Sequence, residues 1–449
     1  MSHSNSISMR ELEQKYPFFK LIRPVGGVVE EPMPLFQGEM GIPEFKIYSS
    51  GLGNLTMTAP HVRSSNGGMV TPGAIGGAGS DEYRELALVR SVAEAAERYA
   101  NSMLNESSSW IVASQNELGD EAMDLSTLPV CSERELADPN AMIGKADPDA
   151  PIRWVKSYSL TEDREVYVPA ILTHLFVQGS EHENFVYPIS TGVAAHSDLI
   201  KAVTSAICEV VERDAIALTW LAKLPLPQVE FDLPVQDAHK DKFRQLARGH
   251  MKQLFFDATT DIGIPTIYSV QLVDGHPTLS QFVSCSTNFD AAEAAAKVIR
   301  ESASGRTMFE QNHEIPANVS DFMRLEDGAA FMGRPENRSY FDFLLNSPTR
   351  RPISAIKSDY PEDDAGRLHW LKQRFSDLGY KVYISELTTD ELRDVGLRTV
   401  RVIIPGLMPM TPVQRARFLG HPRLYQYPQK AGFGPFTEDM VNPAPQPFA

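Results

Sequence analysis

The chain has 449 residues, 42% of them apolar and 22% charged, which suits one large folded domain or two ordinary ones and excludes disorder, collagen-like repetition and a coiled-coil fibre. Its 58 acidic against 42 basic side chains leave a net charge of −16, which argues against nucleic acid or an anionic membrane as the main partner. Any anionic ligand would need a local cation.

Up to residue 72 the sequence carries scattered Gly and Pro among short mixed stretches, read as strands and loops of an N-terminal extension. The run GAIGGAG at 73–79 follows. It lacks the Lys-Ser/Thr ending of a Walker loop, and reads either as a flexible entry loop or as backbone amides placed at a helix start, where phosphate binds well. Ser80 is the expected N-cap of a helix reaching about Asn101, with Asp81 and Glu82 in its first turn. Residues 153–171 read as two strands around a polar turn, and PISTGVAAHSD at 188–198 as a tight turn at Thr191-Gly192. A second long helix is expected from Ser197 to about Leu221. Residues 264–286 read as a hairpin turning at Asp274-Gly275. Asp290 and Glu293 form a capping box for a third helix, with Arg306 just past its end after Gly305. A helix from Gly366 to Leu378, a strand at YKVYISEL, an apolar stretch at RTVRVIIPGL and the proline-rich ending NPAPQPFA complete the chain. Helices and strands are interspersed, so the expected class is mixed α/β or α+β.

Cys131, Cys208 and Cys285 stand far apart with no CxxC pair, so neither zinc nor a disulfide framework is expected, and a reducing cytoplasm fits. No apolar run approaches the roughly 20 residues of a spanning helix, and the opening residues lack a signal peptide's apolar core. His196, alone near a helix start, reads as structural, and Cys208 as a small core residue.

The two long helices share one pattern. In the first, Val89, Val92, Ala93, Ala96 and Ala100 form an apolar face, while Arg90, Glu94, Glu97 and Arg98 share a polar one at steps of 0, 4, 7 and 8. In the second, Val203, Ile207, Val210 and Val211 form the stripe, and Ser205, Glu209, Glu212 and Arg213 repeat those polar steps. Either helix alone is an ordinary amphipathic helix with a solvated charged face. The duplication points further: if a pseudo-symmetric fold brought the two faces together, four carboxylates would meet, and bound cations would have to offset their repulsion and desolvation. Carboxylate oxygens suit Mg²⁺, and Mg²⁺ with few protein ligands usually accompanies nucleotide phosphates.

These residues resemble the YcaO superfamily, ATP-using enzymes that activate backbone amides, and within it the D-protein cyclodehydratases that make thiazole- and oxazole-containing peptides. The resemblance rests on AEAAERYAN at 93–101, STGVAAHSDLIKAVTSAICEVVERDA at 190–215, ESASGR at 301–306, IPGLMPMTP, HPRLYQYP and the terminal PAPQPFA with its PxPxP form. It implies a fold of pseudo-symmetric helix–sheet halves around an ATP/Mg²⁺ site. It implies an ATP-binding catalytic domain at 73–430, and a tail at 431–449 that enters the active site. Glu94, Glu97, Glu209 and Glu212 would bind Mg²⁺ and ATP, Ser91 and Thr191 would contact the nucleotide, and Arg306 its phosphates. Pro443, Pro445, Pro447 and the Ala449 carboxylate would serve cyclisation. Three departures stand out: no lysine lies between Gly77 and Gly79, Arg90 occupies a position often held by serine, and Thr191 one often held by Asn or Ser.

The implied activity is conversion of Cys, Ser or Thr in a ribosomal precursor peptide to azolines. The implied partners are that peptide, an E1-like or ocin-ThiF-like protein carrying leader recognition, a flavin dehydrogenase and a second copy in a homodimer. Thioamide or amidine formation at the same ATP site, and a non-catalytic scaffold, are the competing expectations.

Overall fold

The computed structural model describes residues 7–22, 27–38, 41–55, 59, 61–62, 75–104, 110–177, 179–232, 240–309, 314–357 and 359–448. Its strands are β1 (Met33–Leu35), β2 (Lys46–Gly51), β3 (Gly76–Asp81), β4 (Ile111–Ala113), β5 (Ile152–Ser159), β6 (Arg164–Pro169), β7 (Val193–His196), β8 (Gln228–Glu230), β9 (Lys252–Asp257), β10 (Thr266–Leu272), β11 (Gln281–Thr287), β12 (Arg350–Pro352), β13 (Tyr383–Glu386) and β14 (Arg398–Ile403). The principal helices are α1 (Met9–Lys15), α2 (Arg84–Ser102), α3 (Leu199–Leu221), α4 (Ala291–Phe309), α5 (Asp364–Asp377) and α6 (Arg423–Lys430). The mixed class expected from the sequence is what the chain adopts.

Three sheets hold these elements: β1-β2-β3, β11-β10-β9-β8-β12, and β4-β5-β13-β14-β7 with β6 on β5. All pairings are antiparallel except β8 with β12. The expected hairpin at Asp274-Gly275 joins β10 to β11, and Gly275 takes the left-handed φ of +80° such a turn favours. The two long helices converge on one strand: α2 packs on β3 and β7, while α3 packs on β7, β14 and β11. This shared support places their polar faces side by side.

The glycine run is not an entry loop. Residues 76–81 form β3, so Ser80 and Asp81 are strand residues and the helix begins after Tyr83. The reason is steric: a Cβ on Gly77 would stand 2.2 Å from the Ser91 carbonyl oxygen, and one on Gly79 2.1 Å from that of Ala87. Only a strand without side chains at these positions can lie this close to α2. Gly73 of that run, and Ala74, lie outside the described residues.

A second correction concerns the third helix, which passes through Gly305 and Arg306 to Phe309. Gly305 is there for packing, since a Cβ would meet the Phe282 ring at 2.5 Å. At the helix start Asp290 caps as expected, accepting from Ala292 and Glu293 at 2.8 and 3.4 Å.

The N-terminal segment is tied into this architecture. β2 pairs with β3, and Leu12, Phe19 and Leu21 share an apolar cluster with Leu88, Val92, Ala95 and Ala96 of α2. The largest cluster surrounds the C-terminal half of α3, where Trp220 packs on Phe341 with ring centroids 5.2 Å apart. Among the described residues no helix is long and apolar enough to cross a membrane, and all three cysteines are free, Cys131 and Cys285 buried and Cys208 half-buried.

Candidate active site

The doubled pattern becomes a doubled hydrogen-bonding scheme. Glu94 on α2 accepts from the Ala78 amide of β3 at 3.1 Å, while Glu209 on α3 accepts from the Gly192 amide just before β7 at 2.9 Å. Four residues on, an arginine closes each unit: Arg98 pairs with Glu94 at 3.1 Å, and Arg213 with Glu209 at 3.3 Å. The same arginines reach the second glutamate of their helix, Arg98 to Glu97 at 3.4 Å and Arg213 to Glu212 at 3.8 Å. Gly192 is needed here: its φ is +83°, and a Cβ would collide with the Val402 carbonyl oxygen at 2.3 Å.

Electrostatics shows that the two faces meet. Burial pushes the Glu97 carboxyl well above the ordinary carboxylate range; Arg98 opposes this, and Glu209 from the other helix and Glu94 add to it. Burial likewise raises Glu212 to about 7, against the pull of Lys297 and Arg213 and with a push from Glu301. Glu212 also accepts from the Thr287 amide at 2.9 Å. Arg401 on β14 is pushed down to about 10, chiefly by burial, while Glu209 and Glu97 hold it up.

Two cations of this group were not legible as site residues. Lys297 on α4 stands 3.9 Å from Glu212 and 3.3 Å from Glu301, and its four-residue spacing to Glu301 was the available signal. Arg401 interrupts an otherwise apolar strand, and donates to the Ile189 carbonyl at 2.6 Å. Further along the cleft Arg90 pairs with Asp81 at 2.9 Å, and Arg300 is held below its ordinary range by burial first and Arg90 second.

Other expected residues take different positions. Ser91 is fully buried against β2 and β3, its hydroxyl 2.5 Å from that of Ser50 and 3.5 Å from the Gly77 carbonyl oxygen. Arg306 is fully buried as well, and donates to the Leu279 carbonyl at 2.9 Å. Thr191 is half-buried and lines a cavity together with Arg213 and Arg401. His196 accepts from the Asp198 amide at 2.8 Å, beside the α3 start that Asp198 itself caps.

The proline-rich tail runs back along α3 toward the carboxylates. The Asn442 amide donates to Leu221, the Trp220 indole donates to the Ala444 carbonyl at 3.1 Å, and the ring of Phe448 lies 5.5 Å from the Arg213 guanidinium. Pro443 is exposed, with its carbonyl accepting from Gln414 at 3.0 Å, whereas Pro445 and Pro447 are buried. Ala449 lies outside the described residues.

A second network fixes the same helix at the residue after Arg213. Arg423 on α6, 5% exposed, donates to both carboxylate oxygens of Asp214 at 2.7 Å, and also to Asp261 and to the Tyr380 hydroxyl. Asp214 in turn accepts from the Met408 amide at 2.8 Å, which ties the loop after β14 to α3.

The donor set fits a hard divalent cation. Glu94 and Glu209 both push the buried Glu97 carboxyl upward, and oxygen ligands are what Mg²⁺ prefers. Among the described residues no three acidic, histidine or cysteine side chains form a cage ready for a metal. Among the described residues the buried Nε atoms of Arg213 and Arg401 have no hydrogen-bond partner, and a guanidinium suits phosphate.

Comparison with known proteins bears on this geometry. A protein in the tfuA 3′ region of Rhizobium leguminosarum bv. trifolii is 31% identical over 196 residues, 40% of this chain and 45% of that protein. A protein of Methanothermobacter thermautotrophicus is 26% identical over 281 residues, covering 60% of this chain and 70% of its own length. A heterocyclase solved in complex with substrate and cofactor superposes with a TM-score of 0.78 at 23% identity, over 98% of this chain and 57% of that one. YcaO from Methanopyrus kandleri, solved with AMPPCP and Mg²⁺, does so with a TM-score of 0.58 at 18% identity, over 89% of this chain and 88% of that one. These likenesses show the fold; the present chain spans about half the length of the first relative and of the heterocyclase. The model of the YcaO cyclodehydratases, described as ATP- and Mg²⁺-binding, matches residues 78–408, a stretch that includes both Glu94–Arg98 and Glu209–Arg213, the two copies of the pattern ExxER. The chain belongs to the YcaO cyclodehydratase family, whose cofactors are ATP and Mg²⁺.

Proposed function

We propose that this chain is the ATP-dependent cyclodehydratase of a peptide-modifying system, converting Cys, Ser or Thr residues of a ribosomal precursor peptide to azolines. The observation that carries the reading is the meeting of the two ExxER faces beside a tail whose Phe448 ring packs on Arg213.

Glu94, Glu97, Glu209 and Glu212 would hold Mg²⁺ with the phosphates of ATP, which when bound supply a phosphoryl group that makes an amide oxygen a leaving group. The thiol or hydroxyl of the reacting residue attacks the preceding carbonyl carbon and gives up its proton, the carbonyl oxygen takes the phosphoryl group, and it departs as phosphate while the amide N–H proton is lost and the C=N bond of the azoline forms. Arg213 and Arg401, each with an Nε–H that has no hydrogen-bond partner among the described residues, would neutralise charge that develops on that oxygen. Glu212, raised to about 7, can take or give a proton near neutrality. Burial of Pro445, Pro447 and Phe448 orders the tail beside these groups, consistent with a role for the chain terminus in positioning the peptide. The leader-binding partner, the flavin dehydrogenase and the homodimer belong to this same proposal.

Mass spectrometry of a precursor peptide incubated with this chain, an E1-like partner, ATP and Mg²⁺ tests the reading. The expected result is loss of one water per ring, dependent on ATP. Phosphate release without mass loss would contradict it, and exchange of oxygen for sulfur would move the activity to thioamide formation.

A further inference from the structure

An apolar cavity opens beside the two arginines. Strand β14 contributes Arg401 and Val402 to its wall, α3 contributes Val210 and Arg213, and Phe185, Val186, Ile404 and Met410 line much of the rest. Among the described residues no acidic side chain lines it. His174, also in the wall, is pushed down to about 4 by burial, with Arg401 and His61 adding to the effect, so it is uncharged at neutral pH. Among the described residues the charged lining is therefore the guanidiniums of Arg213 and Arg401.

Its size limits what can enter. The cavity measures about 120 Å³. A pocket for a whole small molecule needs roughly 300–1,000 Å³, whereas an apolar cavity of about 150 Å³ takes a single benzene ring. One branched or small-ring side chain fits.

Covalent geometry says which one. In the cyclodehydratase reading, on which this inference rests, the carbonyl being activated belongs to the residue before the reacting Cys, Ser or Thr. The side chain of that residue branches from the carbon next to the carbonyl carbon. A carbonyl oxygen held by Arg213 and Arg401 therefore carries its neighbouring side chain to the apolar walls that the same helix and strand provide. We infer that this cavity is a specificity pocket for the residue preceding the cyclised position, admitting Leu, Ile, Val or Met and rejecting charged residues and Trp.

Capped dipeptides test this directly by ligand-observed NMR titration, in the presence of Mg²⁺ and AMPPCP. Ac-Leu-Cys-NH₂ should bind at least about tenfold more tightly than the Gly-Cys, Asp-Cys or Trp-Cys analogues, in line with the discrimination a hydrophobic pocket gives. Equal binding of the Leu and Gly peptides, or of the Leu and Asp peptides, overturns the inference. Val186→Trp fills the cavity away from the carboxylates; it should abolish the Leu preference while Mg²⁺-AMPPCP still binds. A Leu preference that survives this substitution places the pocket elsewhere and overturns the assignment. Should Val186→Trp not fold, Met410→Ala serves instead, and should raise the affinity for the Trp-Cys peptide. Water loss from a precursor peptide with no side-chain preference among the dipeptides would sink this inference and leave the cyclodehydratase reading standing.

Discussion

The ring of Phe448 lies 5.5 Å from the guanidinium of Arg213, so the proline-rich tail packs against the arginine that bridges Glu209 and Glu212. A cation over an aromatic face is worth about 0.5–2 kcal/mol, depending on desolvation. Phe448→Leu keeps bulk and removes the π face, and should lower kcat by a factor of about 2 to 30 on that basis. KM for ATP should change little, because no carboxylate is touched. Steady-state phosphate release with a peptide substrate measures both.

Gly77 and Gly379 make opposite demands on an added methyl group. At Gly77 a Cβ would lie 2.2 and 2.3 Å from backbone atoms of α2, whereas at Gly379 nothing stands within 4 Å and only the φ of +78° opposes a side chain. Gly77→Ala should cost roughly 3 kcal/mol or more as β3 is forced off the helix, against about 1–2 kcal/mol for Gly379→Ala. Chemical denaturation of the two variants compares them, and equal losses would contradict the packing described.

Arg423 and Asp214 form a buried bidentate pair. Arg423→Met leaves the Asp214 carboxylate without its cation and should destabilise the protein by about 3–5 kcal/mol. Combining it with Asp214→Leu should cost less than the sum of the two single changes, because neither charge is then left alone. Thermal or denaturant unfolding of the four proteins closes this cycle.

The raised Glu212 gives a pH dependence with a definite sign. Its carboxyl titrates near 7 in the folded chain against an ordinary 4.5, so the folded state keeps a proton that the unfolded state loses. Stability contributed by Glu212 is full below pH 4.5 and is lost as pH rises to about 7. The loss amounts to about 3 kcal/mol, at 1.36 kcal/mol per pH unit. Glu97, shifted the same way by burial, steepens the trend. Melting temperatures from pH 4.5 to 8 should fall less for Glu212→Gln than for the parent protein.

Much of this was legible in the sequence, for identifiable reasons. The stripes of α2 and α3 have helical period, and the repeated ExxER steps singled out Glu94, Glu97, Glu209 and Glu212 before any fold was known. Glycine misled twice, at Gly77 and Gly305, because the residue signals a tight backbone approach as readily as a loop or a helix end, and only the neighbour across the gap tells these apart. Lys297 and Arg401 were missed because each sits in an element whose own pattern is ordinary; their meaning comes from Glu212 and Glu209, which tertiary packing brings to them. The seat of Phe448 on Arg213 is equally a product of long-range packing.

The central claim is that the two ExxER helices build one nucleotide and metal site between them. Calorimetric titration of AMPPCP, with and without Mg²⁺, into the parent protein and into Glu97→Gln and Glu209→Gln tests it most directly. Binding that requires Mg²⁺ and weakens at least about tenfold in both variants is the predicted result, since each removes a charge-assisted contact. Nucleotide binding that ignores Mg²⁺, or that survives either substitution unchanged, would contradict it.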